Sequence, residues 1–214
     1  MNEPGALYTA VLDGDAKGAA AHCQRELTAG ADPHALVQQM IAAMDEVGQR
    51  FECEEYFVPE LLLAARAMKA ALALLRPLMA ASGAQPAGRV VIGTVKGDLH
   101  DIGKNLVAAL LEGAGFEVHD LGADVAPERF IEEAKTHGAD IVALSALLTV
   151  TMPAMRTTIE AFDRAGCRAG VRIMVGGAPV TRAYADEIGA DGYSDNASTA
   201  VTLARELMSK RSAA

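Results

Sequence analysis

The sequence predicts an all-helical module followed by an α/β module built on a five-stranded parallel sheet. Three observations predict it. Apolar residues recur at spacings of three and four up to residue 81, and a stretch of turn formers follows at 82–88. Beyond it, short apolar runs alternate with helical segments, the signature of repeated βαβ units. The boundary falls between residues 1–85 and 86–214.

Within the first module, two short helices are expected around 5–12 and 16–29, separated by Asp13-Gly14-Asp15. Asp32-Pro33 then gives a start signal, an N-cap aspartate followed by proline in the first turn, where its missing N–H costs nothing. Val37, Met40, Ile41, Met44 and Val47 recur after it at helical spacing. Pro59 opens a further helix, whose Leu61, Ala65, Met68, Leu72, Leu75 and Met79 form one stripe. Four amphipathic helices of this kind bury their stripes against each other, which predicts a four-helix bundle.

Ser82-Gly83-Ala84-Gln85-Pro86-Ala87-Gly88 has no apolar period and reads as the linker. Strands are expected at 89–95, 116–121, 140–146, 171–176 and 191–194. Near-continuous apolar runs of this length suit strands buried on both faces. Five of them, alternating with helices, fit a doubly wound, flavodoxin-like sheet. Ligands of such sheets sit at the carboxyl ends of the strands, so the loops after the first, third and fourth strands are where chemistry is expected.

Composition narrows the function classes. The net charge of −9 opposes sequence-independent binding to nucleic acid, which needs clustered Lys and Arg. Cys23, Cys53 and Cys167 form no Cys-x-x-Cys pair, so neither a disulfide framework nor a zinc site is expected. The amino terminus lacks a basic segment before an apolar run, and no apolar stretch is long enough to span a bilayer. The cytoplasm is the expected compartment.

The loop after the first strand reads Lys96-Gly97-Asp98-Leu99-His100-Asp101-Ile102-Gly103-Lys104-Asn105. A histidine two residues after an aspartate can offer one ring nitrogen to a metal while the other donates to the carboxylate. Ser145-Ala146-Leu147 closes the third strand, with Thr149 and Thr151 after it, and Gly176-Gly177-Ala178 closes the fourth. Asp-x-His-x-x-Gly at this place resembles the cobalamin-binding domain shared by methionine synthase, methyltransferase corrinoid proteins and some cobalamin mutases.

That resemblance implies a cobamide, cobalamin or a relative, with His100 as the lower cobalt ligand in place of the cofactor's own base. It implies that Asp98 orients His100, that Thr151 extends the relay, and that Gly103 lets the backbone pass close to the corrin. Gly97, Asp101 and Ile102 belong to the same loop. Ser145 and the paired glycines Gly176 and Gly177 line the slot for the displaced nucleotide tail, Leu147, Thr149 and Ala178 beside them also bind the cofactor, and Tyr193, in the stretch Tyr193-Ser194-Asp195-Asn196-Ala197-Ser198, belongs to the loop that closes over it. Asn196 is equally good as a plain N-cap.

Val47-Gly48-Gln49-Arg50-Phe51-Glu52 and Tyr56-Phe57-Val58-Pro59-Glu60-Leu61-Leu62 resemble the helical cap of the same proteins, in which Phe51, Val58 and Leu61 would touch the methyl group. Cys53 and Thr151 depart from the usual pattern, the latter keeping the hydroxyl of the more common serine. The implied function is that of a carrier in a cobalamin-dependent methyltransferase system. Its cofactor alternates between the cobalt(I) and methylated forms, and no zinc is expected.

Nothing in the chain activates a donor or an acceptor, so the resemblance implies separate partners. They are a substrate:corrinoid methyltransferase, a tetrahydrofolate or thiol methyltransferase, and a reductive activase. Two other readings stand beside it. A cobalamin-dependent sensor would place a similar cap after a DNA-binding segment, but residues 1–85 carry six Lys and Arg against eleven Asp and Glu. The small subunit of an adenosylcobalamin mutase usually lacks the cap that carries Phe51.

Overall fold

A computed structural model describes residues 5–81 and 86–212. The chain divides into two compact units, one taking in residues up to Pro86 together with Ala109–Gly115, the other Ala87–Ala108 and Phe116 onward. Of the linker expected at 82–88, residues 82–85 lie outside the described residues.

The helical unit contains α1 (Ala6–Leu12), α2 (Ala16–Thr28), α3 (Pro33–Glu52) and α4 (Val58–Ala81). Local chemistry sets the starts. The Asp15 carboxylate accepts from the Gly18 amide at 2.9 Å, and Asp32 accepts from the His34 amide at 3.2 Å with Pro33 in the first turn. At α4 the Glu60 carboxylate reaches back to the Phe57 amide at 3.0 Å, one half of a capping box. That helix runs through Pro77, which the apolar stripe alone does not reveal.

Leu7 and Val11, Cys23, Met40 and Val47, and Leu61, Met68 and Leu75 are buried, and α4 packs against both α2 and α3. One polar network ties α1 to α3. The Tyr8 hydroxyl donates to Glu46, which also receives Arg50. Arg50 donates in turn to the Tyr56 hydroxyl at 3.2 Å.

The second unit holds β1 (Arg89–Thr94), α5 (Ile102–Gly113, whose last turns fall in the first unit), β2 (Glu117–Asp120), α6 (Pro127–His137), β3 (Ile141–Ser145), α7 (Pro153–Arg164), β4 (Arg172–Gly176), α8 (Arg182–Glu187), β5 (Gly192–Ser194) and α9 (Ala197–Ser212). The sheet is wholly parallel, in the order β2-β1-β3-β4-β5. Val91, Val142, Leu144, Ile173 and Val175 pack on one side with Phe130 of α6 and Met155, Ile159 and Phe162 of α7. Val90, Ile92, Ile141 and Met174, which alternate with them, are buried as well. Both faces are therefore covered, which is why the strands read as continuous apolar runs.

The strand order reverses between β1 and β3, so the loops leaving these two strands diverge and open a crevice at their carboxyl ends. Among the described residues no helix is long and apolar enough to cross a membrane.

Candidate functional site

Asp98 and His100 lie in the loop between β1 and α5, and Thr151 in the loop between β3 and α7. The fold brings all three together. Asp98 has no exposed surface, whereas half of the His100 side chain is exposed. Asp98 Oδ1 accepts from the His100 amide at 3.0 Å and pairs with His100 Nδ1 at 2.8 Å. Its Oδ2 accepts from the Leu147 amide at 2.8 Å and from the Thr151 hydroxyl at 2.6 Å.

Burial by itself pushes the Asp98 carboxyl up. The Thr151 hydroxyl, the Leu147 and His100 amides and the His100 ring together outweigh it and hold the group well below the usual carboxylate range. An ionised carboxylate only accepts hydrogen bonds, so His100 Nδ1 carries a proton, and in the neutral ring the lone pair lies on Nε2. A protein nitrogen with a fixed tautomer, on a ring anchored at its far side, is a prepared metal ligand.

The segments around the pair also carry exposed apolar side chains. Leu99, Ile102, Leu147, Leu148 and Val150, from the same two loops, are all exposed large hydrophobic residues. Gly103 adds a second peculiarity. It occupies the first turn of α5, where glycine lowers helix stability, yet a side chain there would meet no protein atom within 4 Å. An added Cβ would stand in open space beside the helix. Among the described residues no group of three or more His, Cys, Asp or Glu could hold a metal ion. One imidazole on an apolar platform suits a metal whose other positions are filled by a flat macrocycle.

A row of small residues crosses the sheet beside this platform. Thr94 pairs with Ser145, Ser145 with Gly176, and Gly176 with Ser194, so one position on each of four adjacent strands lacks a bulky side chain. Gly177 follows with φ +126°, and a Cβ there would meet the Ala146 carbonyl oxygen at 1.9 Å. Only glycine fits. Thr149 and Ala178 are exposed at the same ends of β3 and β4. Tyr193 is half-buried with the Arg182 guanidinium 5.5 Å over its ring, and Asn196 caps α9 by accepting from the Thr199 amide at 2.9 Å.

Gly97 has φ +87°, and Asp101 accepts from the Asn105 amide at the start of α5. In the helical unit Phe51 is half-buried and Val58 is 38% exposed, while Leu61 has no exposed surface. Leu61 therefore stands in the structure as core, and it is the neighbouring Phe57 and Leu62 that are open.

Sequence reasoning did not single out Thr94, Lys104 or Asp124. Thr94 is fully buried and donates its hydroxyl to the His100 carbonyl oxygen at 2.9 Å. The Lys104 ammonium is almost wholly buried and bonds both the Asp120 carboxylate and the Asn105 side chain, the latter at 2.6 Å. Asp124 bonds the Gly97 amide at 2.8 Å. Their ordinary residue types gave no signal. A buried lysine beside the motif was the one anomaly a pattern of burial could have marked.

Known proteins fit this geometry. Two models described as B12 binding domains match residues 88–202 and 5–76. The chain is 48% identical over 179 residues to dimethylamine corrinoid protein 1 of Methanosarcina acetivorans, covering 83% of this chain and 84% of that one. A cobalamin-binding protein from Desulfitobacterium hafniense has a similar crystal structure, with a TM-score of 0.79 and 31% identity over 97% of this chain and 99% of that one. The methanol:cobalamin methyltransferase complex from Methanosarcina barkeri contains a chain matched with a TM-score of 0.85 and 26% identity, covering 95% of this chain and 78% of that one. On these matches the chain belongs to the methyltransferase corrinoid proteins.

Proposed function

We propose that this protein carries a methyl group on a bound cobamide, with His100 Nε2 as the lower ligand of cobalt. When bound, the cofactor supplies a cobalt centre able to take a methyl group from a donor and yield it to an acceptor. The chain's own residues do the rest. His100 presents one nitrogen, Asp98 holds the proton at Nδ1, and the Thr151 hydroxyl keeps Asp98 ionised. Leu99, Ile102, Leu147, Leu148 and Val150 give the macrocycle an apolar seat. Ser145 and Gly176, with Gly177, line the place for the nucleotide tail.

The observation that carries the reading is the contrast between a fully buried Asp98 and a half-exposed His100 joined at 2.8 Å. A structural ion pair gains nothing from leaving Nε2 open beside exposed leucines. A substrate:corrinoid methyltransferase and an acceptor methyltransferase using tetrahydrofolate or a thiol are the partners that complete the cycle, a reading supported by the likeness to a chain of a methanol:cobalamin methyltransferase complex. A reductive activase restores the cofactor after accidental oxidation. The likeness to a dimethylamine corrinoid protein makes methylamines the first donors to try.

The test is reconstitution with cobalamin and reduction to cobalt(II). Electron paramagnetic resonance with isotope-labelled histidine is expected to show one protein nitrogen coupled to cobalt, lost in His100→Ala. Coupling that persists in His100→Ala removes the assignment.

A further inference from the structure

At Gly97 and Asp98 the backbone of the loop that carries His100 is gripped by one residue from outside its motif. Asp124, between β2 and α6, accepts the Gly97 amide on Oδ1 at 2.8 Å, and its own amide donates to the Asp98 carbonyl oxygen at 2.9 Å. These two bonds hold the Gly97-Asp98 segment at both ends. The grip has a firm base, because the Thr94 amide donates to the Gly122 carbonyl, the Val125 amide donates to the Thr94 carbonyl, and Val95 pairs with Val125 in parallel fashion. The loop bearing Asp124 thus extends the β1–β2 pairing beyond the strands.

The backbone at Asp124 is specialised. Its φ is +58°, a region that non-glycine residues enter rarely and that Asp and Asn enter most easily. Gly97, opposite, has φ +87° and would be free to sample other conformations without the bond to Asp124. The Lys96 ammonium also reaches Asp124 Oδ2 at 3.1 Å, but both side chains are well exposed, and an exposed pair of this kind contributes little. What matters is an acceptor at Oδ1 and a residue that tolerates the left-handed region.

We propose that Asp124 is a positioning residue for His100, fixing Gly97 and the Asp98 backbone so that the Asp98 carboxylate meets Nδ1 and Nε2 faces the cofactor. The proposal rests on the reading of His100 as the cobalt ligand. A carboxylate serving the Leu147 amide, the Thr151 hydroxyl and two His100 donors has little freedom to follow a drifting backbone. Displacing the Asp98 main chain loosens the contact to the His100 ring first, since that ring is half-exposed and is not packed in place on every side.

Three variants separate the grip from its alternatives. Asp124→Gly keeps the backbone conformation without strain but removes the acceptor. Asp124→Asn keeps both the acceptor and the conformation and removes the charge. Lys96→Met removes the ion pair alone. In cofactor-free protein, imidazole nitrogen chemical shifts are expected to show a single Nδ1–H tautomer for His100 in the native chain, in Asp124→Asn and in Lys96→Met, and a tautomer mixture in Asp124→Gly.

In protein loaded with cobalt(II) cobalamin, the ratio of histidine-coupled to uncoupled cobalt is expected to fall about tenfold in Asp124→Gly, the lower end of what losing an outer-shell partner costs, and to recover in Asp124→Asn. A native tautomer and native coupling in Asp124→Gly overturn the proposal, as does a loss that Asp124→Asn fails to repair or that Lys96→Met reproduces. If native protein shows no histidine coupling at all, the ligation reading fails, and the tautomer comparison still decides the role of Asp124.

Discussion

The Thr94 hydroxyl donates to the His100 carbonyl oxygen across 2.9 Å, from a side chain with no exposed surface. The last residue of β1 is thereby bonded to the far end of the loop it leads into. Thr94→Val keeps the shape and removes the donor, leaving that carbonyl without this partner at a cost of about 1–2 kcal/mol. Urea unfolding of the cofactor-free protein measures the cost, and Thr94→Ser is expected to restore it. Equal stability of the valine and serine variants would refute the role.

Two glycines of the site have opposite reasons for being glycine. At Gly177 a Cβ meets the Ala146 oxygen at 1.9 Å and φ is +126°, so Gly177→Ala is expected to cost about 3 kcal/mol or more. At Gly103 the chain offers open space, so Gly103→Leu leaves the fold intact and gains up to about 1 kcal/mol of helix propensity. Its expected defect is in cobamide affinity, weakened at least about tenfold by a side chain standing where the macrocycle lies. Thermal melts and a titration followed by visible absorbance separate the two effects. Native affinity in Gly103→Leu would show that the space above α5 is not the seat.

The helical unit carries its own pH dependence. Burial raises the Tyr8 hydroxyl, with the bond to Glu46 and its charge adding to the effect, to about 12. Its unfolded value is about 10. A group raised in this way contributes stability below pH 10, and that stability is lost as pH rises towards 12. Tyr8→Phe is expected to be less stable by about 1 kcal/mol near neutrality, and the gap to the native chain closes across this window. On the acid side, the Tyr8 and Arg50 bonds depress Glu46, so its contribution is present above about pH 4.3 and fades below. Melting temperatures of both chains between pH 7 and 12 check the sign, and a gap that widens with pH contradicts it.

Leu61 and Val58 lie three residues apart on α4 with different surroundings. Leu61 has no exposed surface and Val58 is 38% exposed. Leu61→Ala is expected to destabilise the cofactor-free protein by about 2–5 kcal/mol, the range for core leucines, and Val58→Ala by less than about 1 kcal/mol. Equal effects in denaturant titrations would mean that Leu61 is not core.

Much of this was legible in the sequence because it is local. The starts of α2 and α3 depend on Asp15 and Asp32, each bonding an amide two or three residues on, and the Asp98–His100 pair spans only two positions. The strand order was legible only as a fold type, since each apolar run looks alike. Thr151, 53 residues from its partner, could be linked to Asp98 only through a family resemblance. Asp124 and Thr94 were silent because they act on amides and carbonyls, which every residue has. The burial of Leu61 was silent for a related reason, since spacing identifies an apolar stripe but does not say which of its members stay open.

The final prediction tests the dyad at its centre. In Asp98→Asn the buried group keeps its shape but exchanges one acceptor for two N–H donors. The nearest donors to the native carboxylate are the His100 amide, the His100 ring, the Leu147 amide and the Thr151 hydroxyl, with the Leu148 amide farther off at 3.4 Å. Thr151 can turn away, because its oxygen also lies 2.8 Å from the Leu148 carbonyl. The His100 and Leu147 amides cannot. If the asparagine oxygen faces His100, its amide group confronts the Leu147 N–H. If the oxygen faces Leu147, the amide group confronts the His100 N–H, and the ring can accept at Nδ1 only by moving its proton to Nε2, which removes the lone pair meant for cobalt. Either orientation leaves a buried donor without an acceptor, a cost of about 1–3 kcal/mol. The second also predicts a His100 tautomer opposite to the native one. Unfolding in urea reads the first consequence and imidazole nitrogen shifts read the second. An Asp98→Asn protein as stable as the native chain, with the proton still on Nδ1, would show that the carboxylate's charge and its donors do not set the state of His100.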